Sequence, residues 1–339
     1  MLYFSGAYRA GRPLFGGLGA ICMLHHVRPA SVHGGFSPNG LLEVTPGFLD
    51  DVLTLSKERG FDVISMDEAV MRLENPSEGR SPFLVLTLDD AYRDNLTHAL
   101  PVFRRHRAPF TIFAAPAIQD GTCELWWKAL ENVIRNNRRV TADVNGHLFD
   151  LDTSTAVHKN GAWQSLYWPV RNLPEAEQRV WIRKFCTTYG LDLGTLCRDE
   201  AMTWDELRLI AADPLCTIGA HTIHHYALAK LDEEECHREL VRAADRLEKE
   251  LGKRPVYLAY PYGDETSAGP RDFRLAQEAG YRAAVTTRKG MVHAAHGSHL
   301  LALPRLSLSG DFQKLRYVDV LLSGTAFALF NRFRKLNVA

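Results

Sequence analysis

Two short stretches hold residues whose types and spacing could do chemistry. Thr87-Leu88-Asp89-Asp90 closes the apolar run Phe83-Leu84-Val85-Leu86. Like charges this close cannot both stay ionised without a cation or a strong donor nearby. A lone Asp-Asp pair is often only a polar turn before a helix. The second stretch changes that reading. His221-Thr222-Ile223-His224-His225 follows another apolar segment, Thr217-Ile218-Gly219-Ala220. Two imidazoles and one carboxylate suit a divalent cation of the Zn type with positions open to water. The second carboxylate is then free to serve as a base.

The elements that must position these residues read as strands alternating with helices. Ile21 to Leu24 is a strand ending at His25-His26. Thr45-Pro46 opens a helix, Phe61 to Ser65 is a strand, and Met66 to Leu73 a short helix. The strand carrying the Asp pair follows, then a helix from Asn95 to Arg107 and a strand from Phe110 to Ala114. This order argues for a parallel α/β sheet or barrel. From about Gln119 to Glu200 the rhythm breaks. That stretch holds Trp126-Trp127, a helical run through Val133, a weak strand-like segment from Val140 to Leu151, the aromatics Trp163, Tyr167 and Trp168, and a helix from Pro174 to Tyr189. It reads as an insertion over one end of the sheet, with aromatics that either stack on sugar rings or fill its own core. Thr203 and Glu206 form a capping-box pattern, and Asp232 opens a long amphipathic helix ending at Gly252. Three more strands are expected, at Val256–Tyr260, Ala283–Thr287 and Leu301–Leu308.

Composition bounds the function classes. The chain has 339 residues, 46% hydrophobic and 24% charged, with no formal net charge, and a sequence pI of about 7.2. A nucleic-acid partner is not expected, since that normally requires a basic face. The six cysteines are scattered with no C-x-x-C pair and read as reduced, structural thiols. Gly and Pro interrupt the first twenty residues, which do not read as a secretory signal. No run of roughly 18 apolar residues is present to span a bilayer. The expected location is cytoplasmic.

Asp89-Asp90, His221 with His225, and Pro261-Tyr262-Gly263 all sit at strand C-termini, where barrels and open α/β sheets place active sites. T-L-D-D, H-T-x-x-H and the strand ending Y-P-Y-G resemble, in order and spacing, the first three motifs of the NodB-homology polysaccharide deacetylases, carbohydrate esterase family 4. Met23-Leu24-His25-His26-Val27 resembles the start of one branch. The resemblance runs from about Ile21 to about Gly310, interrupted by the insertion. It implies a distorted (β/α) barrel with about seven strands and a mostly helical insertion. The expected division is 1–118 and 201–310 for the two parts of the barrel, 119–200 for the insertion over the active-site end, and 311–339 for a C-terminal helix.

The same resemblance implies a divalent metal, Zn first, held by Asp90, His221 and His225. It implies Asp89 as general base and the backbone N–H of Tyr262 as oxyanion donor; Pro261 beside it, and Trp126 and Trp127 of the insertion, are expected as substrate contacts. His224 is left as a supporting or structural residue. Several positions depart from the family pattern. The usual Phe after Thr87 is Leu88, and the usual Gly after the Asp pair is Ala91, both read as mild changes. No Arg immediately precedes Pro261, and Arg305 is taken as its substitute in orienting the base. No Asp-x-x-x-Trp pattern stands near Thr286. The late Leu-x-His is replaced by Leu303-Pro304-Arg305, and His25 is the first candidate for the general acid because it sits at the end of the first barrel strand, ahead of His293, His296 and His299 in a loop.

The implied activity is metal-dependent hydrolysis of an N-acetyl group from an amino sugar in a glycan, oligosaccharide or lipid-linked sugar. Two alternatives stand beside it: a deformylase or amidase on a small substrate with the same metal site, and a sugar-binding protein without activity. The C-terminus, Tyr317 to Phe330 followed by Arg332, Phe333, Arg334 and Lys335, is too short to span a membrane. It suits either a last helix closing the barrel or a helix lying at the inner membrane face.

Overall fold

Seven apolar segments form a closed parallel barrel: β1 (Gly19–Leu24), β2 (Phe83–Asp89), β3 (Phe110–Ala114), β4 (Cys216–Ala220), β5 (Tyr257–Ala259), β6 (Ala283–Lys289) and β7 (Leu303–Ser307). The computed structural model describes residues 2–30, 35–76 and 80–338. Each strand pairs with the next in sequence, and β7 pairs with β1 to close the ring. The best-matched pair is β1 with β2, in register from Gly19 opposite Phe83 to Leu24 opposite Leu88. Strands covered on both faces read as unbroken apolar runs, which is why β2 and β3 are legible as Phe-Leu-Val-Leu and Phe-Thr-Ile-Phe.

Side-chain parity decides what points where, because successive residues of a strand face opposite sides. Along β2, Leu84, Leu86 and Leu88 join the outer layer of apolar residues under the surrounding helices. Phe83 and Val85 point inward with Ile21, Phe113, Tyr257 and Val285. By the same parity Thr87 and Asp89 face the barrel interior. Helix Met66–Glu74 joins the interior cluster through Met66, Val70 and Leu73.

The expected strand at Phe61–Ser65 shrinks to Asp62–Val63, which pairs only with Phe83 and Leu84 at the start of β2. It lies outside the ring. Capping follows the sequence. Thr45 accepts from the Phe48 N–H, Thr203 and Glu206 form a capping box, and Asp232 accepts from the Glu235 N–H. Gly252 ends that last helix at φ +73°.

Residues 126–200 form helix Trp126–Asn136, a hairpin of Arg139–Val144 with His147–Asp152, and helices Ala156–Asn172, Glu175–Thr188 and Leu193–Glu200. The hairpin turns at Asn145-Gly146, both at positive φ as a two-residue turn requires. These elements share an apolar cluster of their own, which also takes in Tyr92 and Ile118 from the barrel loops.

The two chain ends pack together. Helix Ala7–Phe15 forms despite Gly11 and Pro13 because the C-terminal helices Leu315–Leu322 and Thr325–Phe330 lie against it. Tyr8 donates to Asp319 at 2.7 Å, and Asp319 also accepts from Arg59 Nε and Nη2. A Cβ at Gly11 would lie 2.3 Å from Thr325 Oγ1, so only glycine admits this approach. The helix expected over 311–339 is thus two helices docked on the barrel, and no described helix is long and apolar enough to cross a membrane.

Candidate active site

The site assembles where β2, β4 and β5 end. Asp89 is the last residue of β2, and the chain then turns sharply, with Asp90 at φ +73° and Ala91 at φ +53°. Left-handed backbone costs an L residue about 1–2 kcal/mol. Ala91 in place of glycine is therefore a strained position, not the mild change that the sequence suggests. The turn swings the Asp90 carboxylate towards the loop after β4, where Thr222 at φ +58° and His225 at φ +59° fold His221 and His225 back over the barrel.

His221 Nδ1 lies 2.7 Å from the Ala259 carbonyl oxygen at the end of β5. A carbonyl can only accept, so Nδ1 carries the proton and Nε2 presents its lone pair. That Nε2 lies 3.7 Å from Asp90 Oδ1, and His225 Nε2 lies 3.3 Å from the same oxygen. Asp90 Oδ1 is buried and has no hydrogen-bond donor among the described residues. Donor atoms of all three residues lie within 4.8 Å of one another. Burial pushes both imidazoles below their usual value, and burial with the neighbouring Asp89 pushes the Asp90 carboxyl up to about 7. Neutral imidazoles around an unsatisfied carboxylate oxygen are the donor set a divalent cation fits.

Asp89 is held differently. Arg305, 1% exposed, grips it with two parallel hydrogen bonds, Nη1 to Oδ1 and Nη2 to Oδ2, each 2.7 Å. The guanidinium is itself fixed by the Thr286 carbonyl at 2.9 Å and Thr87 Oγ1 at 3.1 Å. Burial pushes the Asp89 carboxyl up, but Arg305, His221 and His25 outweigh it and hold it at about 2. The two adjacent carboxyls are thereby driven apart, one firmly ionised and one close to neutrality.

His25 faces Asp89 across 3.9 Å, too long for a hydrogen bond, with its carbonyl held by Asn95 Nδ2. Burial pulls its imidazole down to about 4. From that position His25 can orient the groups around Asp89, and in its protonated form it could serve as the acid expected from the sequence. His293 and His296 bond to each other's segment, and neither they nor His299 line the cavity described next.

A cavity of about 480 Å³ joins His25, Asp89, Asp90, His221 and His225 to Tyr262 and to the aromatics of the insertion. Trp127 sits at its wall, 4.9 Å from the His225 ring, while Trp163, Tyr167 and the 61%-exposed Trp168 line its mouth. Trp126 does not reach it. Its ring is fully buried, and its indole N–H donates to the Tyr262 hydroxyl at 2.7 Å. Pro261 is likewise buried and absent from the lining. Neither is placed to contact a substrate as expected, and Trp126 supports Tyr262 instead.

Tyr262 is at φ +62°, and its backbone N–H donates to no protein group among the described residues. Thr287 Oγ1 donates to its carbonyl, and the Arg171 guanidinium lies 3.7 Å over its ring. Gly263 follows at φ +60°, and a Cβ there would come 2.7 Å from the Thr287 nitrogen. Arg171 and Thr287 carried no sequence signal, since both act from distant elements. His224 is tied to Glu239 and stays outside the donor set.

The comparisons with known proteins decide the family. The family model described as polysaccharide deacetylase matches residues 77–284. The chain belongs to the polysaccharide deacetylase family. It is therefore a hydrolase of the glycan-deacetylating, amide-cleaving class, built on the NodB-type barrel. No curated protein matches the sequence. Solved structures of similar fold include the Streptococcus pyogenes deacetylase PplD in complex with acetate, at 17% identity and TM-score 0.60, over 89% of this chain and 97% of that one. IcaB from Ammonifex degensii is similar at 17% identity and TM-score 0.55, over 90% and 96%. A de-N-acetylase from Aggregatibacter actinomycetemcomitans is similar at 12% and 0.53, over 89% and 98%. At these identities the likeness of this polysaccharide deacetylase to them is one of fold.

Proposed function

We propose that this polysaccharide deacetylase removes an N-acetyl group from an amino sugar in a metal-dependent reaction. The observation that carries the reading is the donor set of Asp90, His221 and His225 beside a separately ionised Asp89, all in one cavity. A divalent cation there, Zn first by donor type, would supply Lewis acidity to the acetyl carbonyl and ease the ionisation of water.

The chain's own groups do the rest. Asp89, kept ionised and oriented by Arg305, takes the proton from the attacking water. The Tyr262 N–H donates to the oxygen on which negative charge develops. Water adds its oxygen to the acyl carbon, the C–N bond breaks, and the proton held on Asp89 passes to the leaving nitrogen. His25, neutral beside Asp89, orients that exchange. Trp127 and the aromatics at the mouth supply apolar faces for sugar rings.

The substrate class on this reading is an N-acetylated amino sugar in a glycan, a short oligosaccharide or a lipid-linked sugar. The intact donor set and base favour an enzyme over a sugar-binding protein without activity. We propose a cytoplasmic setting for the reaction, a reading that the six free cysteines support.

Mass spectrometry of acetylated and formylated amino-sugar oligomers, incubated with Zn-loaded protein, tests the reading. Loss of acetyl by the intact protein is expected, with metal content and activity falling together in His221→Ala and Asp90→Ala. Full metal occupancy in His221→Ala would overturn the ligand assignment, and release of formyl alone would turn the reading to a deformylase.

A further inference from the structure

Large apolar side chains exposed to solvent are unevenly spread. Of the 17 among the described residues, nine lie between Tyr3 and Leu14 or between Phe312 and Phe333, on the helices of the two chain ends and the turns that flank them. Exposed apolar area gathered in this way marks a contact surface. The helices that carry it are neighbours: Leu2–Ser5 packs on Leu315–Leu322, Ala7–Phe15 packs on Thr325–Phe330, and Phe15 meets Phe333 at 5.9 Å. An apolar groove of about 550 Å³ runs between Leu2–Ser5, the segment Ser307–Phe312 and Leu315–Leu322, with Tyr3, Phe4, Phe312 and Tyr317 on its walls.

Charge on this face is one-sided. Between Leu2 and Val27 the chain has Arg9 and Arg12 and no acid. From Gly310 on it has Lys314, Arg316, Arg332, Arg334 and Lys335 against two acids, the exposed Asp311 and Asp319, which is buried against Arg59 and Tyr8. Arg316 lies over the rings of Phe4 and Tyr317, so cation and aromatic are interleaved. A chain with no formal net charge thus carries an aromatic and basic face at its joined ends. Aromatic and apolar side chains beside cations on a short helix suit the headgroup layer of an anionic bilayer, with rings at the acyl boundary and cations at phosphate level.

We propose that the joined terminal helices are a docking surface for an anionic lipid bilayer, holding the protein at the membrane without crossing it. The position of this surface relative to the site gives the contact a use. The turn Pro38–Leu42 lines the catalytic cavity, and its other side packs on Gly310–Phe312, which leads into the apolar groove. One turn therefore separates the cavity from the lipid-facing groove. On the deacetylase reading, on which this consequence rests, the substrate delivered there is an amino sugar anchored to lipid.

Co-sedimentation of the full chain with vesicles tests the docking without any catalysis, so its failure is distinguishable from failure of the deacetylase reading. Binding to phosphatidylcholine vesicles containing phosphatidylglycerol is expected at low salt, falling steeply as salt rises, with little binding to phosphatidylcholine alone. Replacing Arg332, Arg334 and Lys335 by Gln should weaken binding by about fivefold per cation, on the order of 100-fold together. Phe4→Ser with Phe330→Ser should weaken it by about tenfold per ring. All five positions are exposed, and thermal melting by circular dichroism verifies that the variants stay folded. Full recovery of the intact chain in the supernatant with anionic vesicles at low salt would overturn the proposal, as would undiminished binding of the triple Gln variant. A dimer in light scattering that the serine variants abolish, with no vesicle binding by the intact chain, would assign the face to a second copy instead.

Discussion

Replacing Arg305 by Met tests the separation of the two carboxyls most directly. Arg305 and Asp89 are 1% and 2% exposed and meet in two hydrogen bonds of 2.7 Å. Met fills much of the space of the Arg stem but leaves the carboxylate buried without a counter-charge. Breaking a buried pair in this way costs about 3–5 kcal/mol. The chain can limit the loss by protonating Asp89. With Arg305 gone, burial, already the largest influence on this group, lifts it from about 2 to above its ordinary value. A rise of that kind is worth on the order of a few kcal/mol. Adding Asp89→Asn removes the orphaned charge, so the double variant should be more stable than Arg305→Met alone, with a coupling of at least about 2 kcal/mol. Urea unfolding of the four proteins in EDTA, followed by circular dichroism, measures this without any contribution from metal. A loss below about 1 kcal/mol in Arg305→Met, or strict additivity in the double variant, would show that the guanidinium does not hold Asp89 as argued.

Three further outcomes follow from the same geometry. Asp89→Asn should keep its metal, read by elemental analysis, while turnover falls by a factor on the order of 100 or more with little change in KM; near-normal turnover removes Asp89 from the mechanism. His25→Gln, which preserves a polar group of similar reach, should stay within about tenfold of the intact enzyme, whereas His25→Ala should lose more; equal and large losses would restore His25 as a proton donor. Asp319→Asn should destabilise by roughly 1.5–3 kcal/mol at pH 7, since it strips the charge from the hydrogen bonds to Arg59 and Tyr8. Arg59 holds the Asp319 carboxyl below its ordinary value, so its stabilisation is complete above about pH 4 and fades as pH falls through the lower, folded-state value. The deficit of the Asn variant should therefore shrink in melts below pH 4, and a deficit that grows there would reverse the assignment.

The barrel was legible because strands follow from residue type in a local pattern, whereas the grouping of Asp90 with His221 and His225 rested on the family resemblance, since spacing alone left His224 open. Apolar runs ending abruptly in Asp-Asp, His-x-x-x-His or Pro-Tyr-Gly state both the strand and the end that carries chemistry. Arg305 was expected only through the resemblance, as the substitute for the arginine that does not precede Pro261, and the structure puts it on Asp89. Trp126 was misread, although the correction is itself a spacing argument. Adjacent residues on a helix point about 100° apart, so Trp126 and Trp127 cannot both face one cavity. Trp127 takes the wall and Trp126 the core of the insertion. Helix Ala7–Phe15 was missed because glycine and proline speak against it locally, and its reason for existing lies more than 300 residues away, at Asp319 and Thr325. The Ala259 carbonyl, which sets the His221 tautomer, is backbone and leaves no mark in the sequence at all.

What sequence reading could not see, above all, is where strain is held. Ten non-glycine residues in the described chain take positive φ, and five of them, Asp90, Ala91, Thr222, His225 and Tyr262, stand at the ends of β2, β4 and β5. Each contributes an unfavourable backbone term of about 1–2 kcal/mol, which persists only where the surroundings over-determine it. Here the surroundings are the Arg305 clamp, the Ala259 and Thr287 hydrogen bonds, and the packing of the insertion through Trp126 and Arg171 on Tyr262. The strained turns are what bring a carboxylate from one strand against two imidazoles from another and leave the Tyr262 N–H unspent. The insertion accordingly has a structural part in the chemistry: it braces the Tyr262 turn from outside the barrel while its other aromatic face lines the cavity mouth.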